Sequence, residues 1–423
     1  MSDKILIKNG KLVNPRGKSG MFDILVEDGK VSCIAEAGSM TGDDVIDAGG
    51  CIIAPGFVDV HSHFRDPGQT YKEDILTGAE AAKRGGYTSI VLMANTIPTV
   101  DNADTVRYVL DKGKETGINI HTCANITKGM QGSELTDFDA LKSAGAIGFT
   151  DDGKPLLDKE LVREAMVAAK KLDVPLSFHE EDPAFIKNNG INHGRASEHF
   201  EIFGADREAE ISMVKRDIEL AKETGADIDI QHISTAEGVE LVREARRTHK
   251  NVHAEATPHH FSLTEDAVIG FGSLAKMNPP LRTEEDRIAI IEGLRDGSIE
   301  MIATDHAPHS MEEKNKGLLQ APSGIIGLET ALPLAIMNLV DTGYLSMEQF
   351  IERISCAPAA LYHLEAGVIE EGRAADMVIF DPKEKWIAGD YASKSENSPF
   401  TGKEMTGKIK FTLCDGIIVY RDF

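Results

Sequence analysis

The fold is set out in residues 54–96, "APGFVDVHSHFRDPGQTYKEDILTGAEAAKRGGYTSIVLMANT". An apolar run opens this stretch and another closes it, and both have the length of buried strands. Between them, residues 71–87 have the apolar spacing of an amphipathic helix, which the pair Gly85-Gly86 ends. The stretch therefore predicts one strand–helix–strand unit with parallel strands.

The same alternation of strand and helix continues to residue 309. The apolar runs lie at residues 54–63, 88–96, 118–127, 146–152, 175–182, 227–234, 251–260 and 299–309. Eight strand–helix repeats predict an α/β fold of the (β/α)8 TIM-barrel type. Because the runs are continuously apolar, they fit a parallel sheet that is buried on both faces. We expect this barrel to occupy residues 54–365.

The two chain ends resemble each other and differ from the barrel. Both contain short β-type runs with hairpin signals, Asn9-Gly10 and Asp28-Gly29 near the start and Asp415-Gly416 near the end. These residue pairs favour tight hairpin turns because both members tolerate positive φ. We expect residues 1–53 and 366–423 to form one small β-sandwich domain together.

The composition limits the class of protein. The 423 residues carry a formal net charge of -24, which disfavours binding to nucleic acid or to anionic membranes. No apolar run approaches the roughly 18 residues of a membrane span, and the first residues lack a signal-peptide core. The five cysteines form no CxxC pair, which is typical of reduced thiols in a cytoplasmic protein.

Polar side chains stand at the ends of the predicted strands. They are His61, His63, Asn95, Asn125, Asp151, Asp152, His179, His232, His259, His260 and Asp305. In a TIM barrel the active site is built at the carboxyl ends of the strands, so these side chains are expected to converge. In an extended strand His61, His63 and Arg65 also point to one face.

The residue types at this mouth suggest a metal site. A lone His-x-His pair is usually structural, and an aspartate at a strand end is often only a helix cap or turn residue. Four of the histidines, together with two acids, are the ligand types of Zn²⁺. These histidines are His61, His63, His179 and His232. Together the histidines and acids exceed the three protein ligands of one catalytic zinc and suit two metals that share an acid, Asp151 or Asp152. His259, His260 and His306 are candidates for orienting the ligands.

The motifs "PGFVDVHSHFRDPG", "MANTIP", "FTDDG", "KMNPPLR", "ATDHAPH" and "GIIGLET" resemble those of bacterial dihydroorotases in the amidohydrolase superfamily. Many members of that superfamily bridge two metals with a carboxylated lysine, whereas "FTDDG" matches the branch that uses an aspartate. The resemblance implies two Zn²⁺ per subunit. The ligands that it implies are His61, His63, Asp152, His179, His232 and Asp305, with Asp151 as the alternative to Asp152.

The resemblance also implies a reaction, the interconversion of L-dihydroorotate and N-carbamoyl-L-aspartate in pyrimidine biosynthesis. Asp305 would be the catalytic base and then acid, and Arg65 would bind the substrate carboxylate. The substrate-binding residues implied are Arg65, Asn95, Asn278, His309, Ser323 and Gly324. Two positions depart from the family pattern, since Glu180 replaces a cysteine after His179 and Ser323 replaces an aromatic residue.

Several alternatives stay open at this point. Another cyclic amidase, a hydantoinase or an allantoinase, has a related site but a substrate without this carboxylate. Some dihydroorotase-like chains lose the ligands and serve as non-catalytic partners of aspartate transcarbamoylase. Arg65 could also simply form an ion pair with Asp66. The resemblance implies a small-molecule substrate, a homodimer and a possible association with aspartate transcarbamoylase.

Overall fold

The computed structural model describes residues 4–422. The strands are β1 Lys4–Lys8, β2 Lys11–Leu12, β3 Gly20–Glu27, β4 Lys30–Glu36, β5 Val45–Asp47, β6 Ile52–Pro55, β7 Phe57–Ser62, β8 Tyr87–Leu92, β9 Asn119–Ala124, β10 Gly148–Thr150, β11 Leu176–Phe178, β12 Ile228–Ile230, β13 Val252–Ala256, β14 Met301–Ile302, β15 Met377–Ile387, β16 Glu404–Cys414 and β17 Ile417–Arg421.

The α-helices are α1 Ile75–Arg84, α2 Ala103–Gly113, α3 Phe138–Ala144, α4 Lys159–Leu172, α5 Arg195–His199, α6 Glu208–Thr224, α7 Ala236–Arg246, α8 Pro258–Ser262, α9 Asp266–Phe271, α10 Glu284–Asp296, α11 Met311–Lys314, α12 Ala331–Ala335, α13 Met347–Ile351 and α14 Ala357–Leu361. Short 3₁₀ turns occur at Lys128–Met130, Pro183–Phe185 and Gly272–Ala275, and π-helical turns at Ile336–Val340 and Glu352–Cys356. Within residues 4–422, no helix combines the length and the apolar character that a bilayer crossing requires.

Strands β7 to β14 form a parallel sheet in chain order. The first and last strands meet at a seam, where the amide of His63 donates to the carbonyl of His306 (2.9 Å). The sheet is therefore a nearly closed barrel, and the predicted TIM-like fold is confirmed. All eight predicted runs contribute a barrel strand.

Helix α1 shows how the local sequence fixes one repeat. Asp74 caps its first turn by accepting hydrogen bonds from the amides of Leu76 and Thr77, and the helix ends at Gly85, as predicted. Ile75 and Ala79 are fully buried on the inner face of the helix. The helix thereby packs along the barrel between β7 and β8 and leaves the loop after β7 at the barrel mouth.

The chain ends form one mixed sheet, as expected for a small β domain built from both termini. Its strand order is β17-β16-β15-β6-β2-β3-β1-β5, with β4 also paired to β3. Ile7, Ile24 and Met377 belong to its separate apolar core. All nine strands are linked through hydrogen-bonded neighbours, and residues from both chain ends share this core.

The apolar run at residues 54–63 serves two sheets rather than one. Its first residues belong to β6, which pairs antiparallel with β15 in the small domain, and the rest form β7 of the barrel. The change occurs at Gly56, whose amide donates to the carbonyl of Asp376 (3.0 Å). A Cβ at Gly56 would lie 2.2 Å from Thr88 Oγ1, so the close approach of β6 and β8 requires glycine here.

Candidate active site

The six predicted ligand residues lie at the carboxyl ends of five barrel strands. His61 is the last residue but one of β7, and His63 directly follows that strand. The others lie within three residues of the end of their strands: Asp152 after β10, His179 after β11, His232 after β12 and Asp305 after β14. His232 and Asp305 have left-handed φ values of 36° and 46°. Such backbone conformations are costly outside glycine and cluster at functional sites.

Asp152 lies at the centre of this group. The ligand atoms of His61, His63 and Asp152 lie within 4.8 Å of one another, and so do those of Asp152, His179 and His232. Asp152 Oδ1 is 3.4 Å from His61 Nε2, and Oδ2 is 3.4 Å from His63 Nε2. The same Oδ1 is 3.7 Å from both His179 Nδ1 and His232 Nε2. The structure therefore contains two possible metal clusters with one shared carboxylate.

Asp305 faces the first of these clusters. Its Oδ1 lies 3.0 Å from His63 Nε2 and 3.6 Å from His61 Nε2. Although burial raises the pKa of Asp305, the hydrogen bond with His63 and the charge of His61 hold it below its ordinary value. Asp305 is consequently ionised over the physiological pH range.

Asp151, the alternative bridging residue, points away from the clusters. Its carboxylate accepts hydrogen bonds from the amides of Ile126 (2.9 Å) and Thr127 (3.2 Å) and from Asn125 Nδ2 (3.3 Å). Asp151 therefore fixes the turn after β9. Of the two neighbouring acids, only Asp152 lies among the histidines.

The outward-facing nitrogens of three histidines are held by neighbouring side chains. His61 Nδ1 bonds to Glu255, His63 Nδ1 to Asn95 Oδ1 (3.0 Å) and His179 Nε2 to Glu181 Oε2 (2.9 Å). Because these partners accept a proton, the other ring nitrogen of His61 and of His63, in the neutral form, directs a lone pair towards Asp152 and Asp305. The other nitrogen of His179, Nδ1, lies 3.0 Å from His232 Nε2 and 3.7 Å from Asp152 Oδ1. A lone pair facing a carboxylate is repulsive unless a proton or a cation lies between them.

Glu255 and Glu181 were missed by the sequence analysis. The sequence signal for Glu255 was a carboxylate at an inward position of β13, where a buried charge must find a partner. By contrast, the side chains of His260 and His306 do not orient the ligands. The ring of His260 bonds to Thr257 Oγ1 (2.8 Å) and to the carbonyl of Pro279 (3.0 Å). His306 Nδ1 accepts from the amide of Gly327 (3.1 Å).

His259, the third candidate for orienting a ligand, is also buried. Its Nε2 has no hydrogen-bond partner between residues 4 and 422. Burial lowers the pKa of His259 to about 4, so its ring is neutral. Its ring lies against His260, with centroids 4.6 Å apart.

The electrostatics of the clusters favour a bound cation. Burial lowers the pKa of both His61 and His179, but neighbouring carboxylates outweigh it. Glu255 and Asp152 raise the pKa of His61 well above its ordinary value. Asp152 and Glu181 raise the pKa of His179 to about 10. The carboxylates thus create a strong negative potential at nitrogens that normally bind metal as neutral ligands. The fully buried His61 Nε2 has no hydrogen-bond partner within residues 4–422. These residues fit divalent metal ions.

A cavity of about 210 Å³ lies above the clusters. It is lined by His63, Arg65, Asn95, Asp152, Gly153, His179, His232, Asn278, Asp305, Ala307, His309, Ser323 and Gly324. All six predicted substrate-binding residues are on this wall, whereas His61 lies beneath it. Gly153 and Ala307 were not among the predicted residues.

Arg65 presents its guanidinium to this cavity. Its Nε donates to the carbonyl of Pro308 (3.2 Å), and Nη2 donates to His309 Nε2 (3.3 Å). Asp66 does not pair with it, because the Asp66 carboxylate bonds to Tyr108 Oη (2.8 Å) and Lys112 Nζ (3.3 Å). Across residues 4–422, no carboxylate lies within salt-bridge distance of Arg65.

The groups beside Arg65 are neutral polar groups. Burial and the charges of Arg65 and Lys72 hold the pKa of His309 far below its ordinary value, so its ring is uncharged. Ser323 Oγ donates to Asn278 Oδ1 (2.9 Å). This half of the cavity combines the half-buried cation of Arg65 with neutral hydrogen-bonding groups, which is suited to an anionic group on a polar ligand.

Asn95 links the two halves of the site. Besides accepting from His63, it donates through Nδ2 to Oδ2 of Asp152 (3.1 Å) and to the Asp152 carbonyl (3.2 Å). Its amide is thus engaged with two of the candidate ligands.

Comparison with known proteins agrees with this geometry. A sequence profile of the amidohydrolase family matches residues 52–419. The dihydroorotase of Clostridioides difficile strain 630 is 54% identical over 418 residues, which cover 98% of this chain and 99% of that protein. The dihydroorotase of Clostridium acetobutylicum is 52% identical over 422 residues, covering 99% of this chain and 100% of that protein.

Solved structures give the same fold. The L-hydantoinase (dihydropyrimidinase) from Arthrobacter aurescens has a TM-score of 0.89 at 27% identity, covering 100% of this chain and 96% of that one. A dihydropyrimidinase from Brevibacillus agri has a TM-score of 0.85 at 22% identity, covering 99% and 95%, and supports the fold alone. The chain therefore belongs to the amidohydrolase family and, within that family, groups with the dihydroorotases.

Proposed function

We propose that the protein is a dihydroorotase, which catalyses the reversible hydrolysis of L-dihydroorotate to N-carbamoyl-L-aspartate in pyrimidine biosynthesis. The observation that carries the proposal is the guanidinium of Arg65, which has no carboxylate partner among residues 4–422 and shares a cavity with the histidine–aspartate clusters. Dihydroorotate combines a cyclic amide with a carboxylate. In this cavity the histidine–aspartate clusters would act on the cyclic amide, and Arg65 would bind the carboxylate.

Two Zn²⁺ are the cofactors that we propose. His61, His63, Asp152 and Asp305 would hold one ion, and Asp152, His179 and His232 would hold the other. When bound, such a pair supplies polarisation of the ring carbonyl and a lower pKa for the attacking water. Glu255, Asn95 and Glu181 support the ligands by fixing the orientation of His61, His63 and His179.

Asp305 is the proposed proton carrier. It is ionised, buried and at the edge of the cavity, so it is able to accept the proton of the attacking water. The proton then goes to the ring nitrogen that leaves as the amide C–N bond breaks. In the direction of ring closure the same carboxylate takes the proton from that nitrogen.

The other side chains orient the ring. Arg65 would bind the substrate carboxylate through two parallel hydrogen bonds, which set both the position and the direction of the anion. The neutral His309 is placed to add a third contact, and Asn278 with Ser323 is placed to meet the ureide edge. Asn95 fixes His63 and Asp152 and also lines the cavity, where we propose that it contacts the substrate.

The nearest alternative is a hydantoinase or a dihydropyrimidinase, whose fold this chain shares. Their rings lack the carboxylate of dihydroorotate, so a guanidinium without a carboxylate partner would have no anion to bind in such a site. The relatives of about half-identical sequence that span the whole chain are also named dihydroorotases. Both observations favour dihydroorotate over the uncharged rings.

Three further assignments belong to this proposal. The cytoplasmic location is supported by the five cysteines, all of which are free thiols. The homodimer and the association with aspartate transcarbamoylase come from related enzymes. Size-exclusion chromatography with light scattering, alone and with the transcarbamoylase, tests both.

A coupled ultraviolet assay on zinc-reconstituted protein tests the reaction. Hydrolysis of L-dihydroorotate should proceed with a kcat/KM at least about 100-fold above that for dihydrouracil or hydantoin, because only the former uses Arg65. The reverse reaction should form the ring from N-carbamoyl-L-aspartate. Equal or greater activity on the uncharged rings would contradict the proposal.

A further inference from the structure

The connection between β15 and β16, residues 388–403, belongs to the small β domain but lies against the barrel mouth. Its most buried member is Asn397, which is 0% exposed. Asn397 Nδ2 donates to the carbonyls of Ala307 and Gly324 (3.1 Å each), and its Oδ1 accepts from the amide of His309 (3.0 Å). One side chain thus uses both its donor and its acceptor on three residues of the cavity wall.

The same connection also holds the loop after β7. Ser395 Oγ donates to the carbonyl of Lys72 (2.7 Å), and Ser393 Oγ donates to the carboxylate of Glu73. Arg65 and His309 lie in the loops after β7 and β14, respectively. The segment from the small domain is therefore bonded to both loops that meet at the proposed carboxylate subsite.

On this basis, and resting on the proposed dihydroorotase function, we infer that Asn397 is a positioning residue that sets the substrate-carboxylate subsite. Arg65 bonds to the carbonyl of Pro308 and to the ring of His309. Asn397 holds the backbone on either side of Pro308, at Ala307 and at His309. A shift of Ala307–His309 would therefore move the guanidinium with it. A small displacement of the guanidinium would weaken its contact with the substrate carboxylate, because a charge-assisted, two-pronged hydrogen bond depends on exact geometry.

The metal-ligating half has separate supports. Glu255, Asn95 and Glu181 hold the histidines, and all three lie in the barrel. Gly324 has a second support, because Lys314 Nζ also donates to its carbonyl (3.0 Å). Loss of Asn397 should thus act mainly on residues 307–309, changing substrate affinity much more than metal binding or turnover.

The test is steady-state kinetics on zinc-loaded Asn397→Ala, with Asn14→Ala as the matched control. Asn14 is also fully buried, and its amide also bonds to backbone in both directions, with the carbonyl (2.8 Å) and the amide (3.2 Å) of Ile369. It lies in the small domain away from the cavity. Asn397→Asp is the second variant, because it keeps the size and the acceptor but loses both donated bonds.

We expect the KM for dihydroorotate to rise at least about tenfold in Asn397→Ala and Asn397→Asp, with kcat changed less than about threefold and zinc content unchanged. The inhibition constant of dihydrouracil, measured as a competitor without the carboxylate, should stay within about threefold of wild type. Asn14→Ala should change neither constant. Equal weakening of both ligands, a pure loss of kcat, or failure of both variants to fold would overturn the inference. Absence of dihydroorotate hydrolysis in the wild-type protein would instead contradict the proposed function.

Discussion

Both ends of the barrel place histidines against carboxylates, but they complete these contacts differently. At the amino ends of the strands, His253 bonds to Glu300 through Nδ1 and lies 3.5 Å from Asp227 through Nε2. Arg246 adds a second cation to Glu300 at 2.6 Å. At the carboxyl ends, His61 bonds to Glu255 through Nδ1 only, and its Nε2 has no hydrogen-bond partner in the described chain.

The difference shows that charge balance, rather than residue type, separates a structural histidine from a candidate ligand. At the amino ends, two cations offset two carboxylates. At the carboxyl ends, Asp152 and Asp305 have only histidines as ion-pair partners among residues 4–422, and they share two of them, His61 and His63. The charge that the protein leaves unbalanced there is the charge that divalent cations would supply.

The largest effect on zinc binding and hydrolysis should come from removing the imidazoles of His61 and His63 at the barrel mouth. In the double variant His61→Ala/His63→Ala we expect zinc affinity and hydrolysis to fall by more than about 100-fold, the upper range for loss of a mere supporting partner. The barrel should stay folded because side-chain packing holds it together. Metal analysis and circular dichroism check both expectations. His253→Ala is the control, and unchanged zinc in the double variant would remove the metal assignment.

The shared acid should be the next most sensitive position. Asp152→Asn keeps the size but loses the charge that faces both clusters, so zinc affinity should fall at least about 10–100-fold. Asp151→Asn should instead lower thermal stability with little change in zinc, because Asp151 holds the backbone of Ile126 and Thr127. Competition titration with a chelator compares the two variants. A damaging Asp151→Asn and a mild Asp152→Asn would reverse the assignment.

Loss of the Arg65 guanidinium should impair use of the substrate rather than binding of the metal. Arg65→Met removes a charge-assisted contact of about 1.5–3 kcal/mol and also loosens the orientation of the ring. We expect kcat/KM for dihydroorotate to fall by about 10²-fold or more, with zinc content near normal and weaker discrimination against dihydrouracil. Arg246→Met makes the same change at the amino ends of the barrel strands and should leave kcat/KM unchanged. Wild-type rate and selectivity in Arg65→Met would contradict the carboxylate subsite.

The smallest effect concerns stability at the amino ends. Burial lowers the pKa of His253, but Asp227 and Glu300 raise it to about 9 overall, above the 6.5 of an unperturbed histidine. Its protonated form therefore stabilises the fold fully below about pH 6.5, and the contribution is lost as pH rises through about 9. His253→Gln should be less stable by at most about 3 kcal/mol at low pH, with the difference shrinking towards pH 9. Urea unfolding across this range measures it, and a pH-independent difference would contradict it.

Much of this architecture was predictable because strand ends carry their own signal. Parallel strands end at one edge, so the histidines after β7, β11 and β12 had to converge once the barrel was recognised. Glu255 was hidden because it occupies an inward position of an apolar strand and shows no motif. The split of one apolar run at Gly56 was also hidden, since an unbroken run does not reveal that its halves pair with different partners. Asn397 could not be found, because 88 residues separate it from His309.

The proposal that two metal ions share Asp152 is tested most directly by the zinc stoichiometry of the wild-type protein and of Asp152→Asn. Both proteins are dialysed to equilibrium against buffered Zn²⁺ and then analysed for bound metal. Because Asp152 is common to both clusters, we predict two zinc ions per wild-type chain and the loss of both together in the variant at the same free zinc concentration. A single zinc in the wild-type chain, or one tightly bound zinc retained by Asp152→Asn, would contradict it.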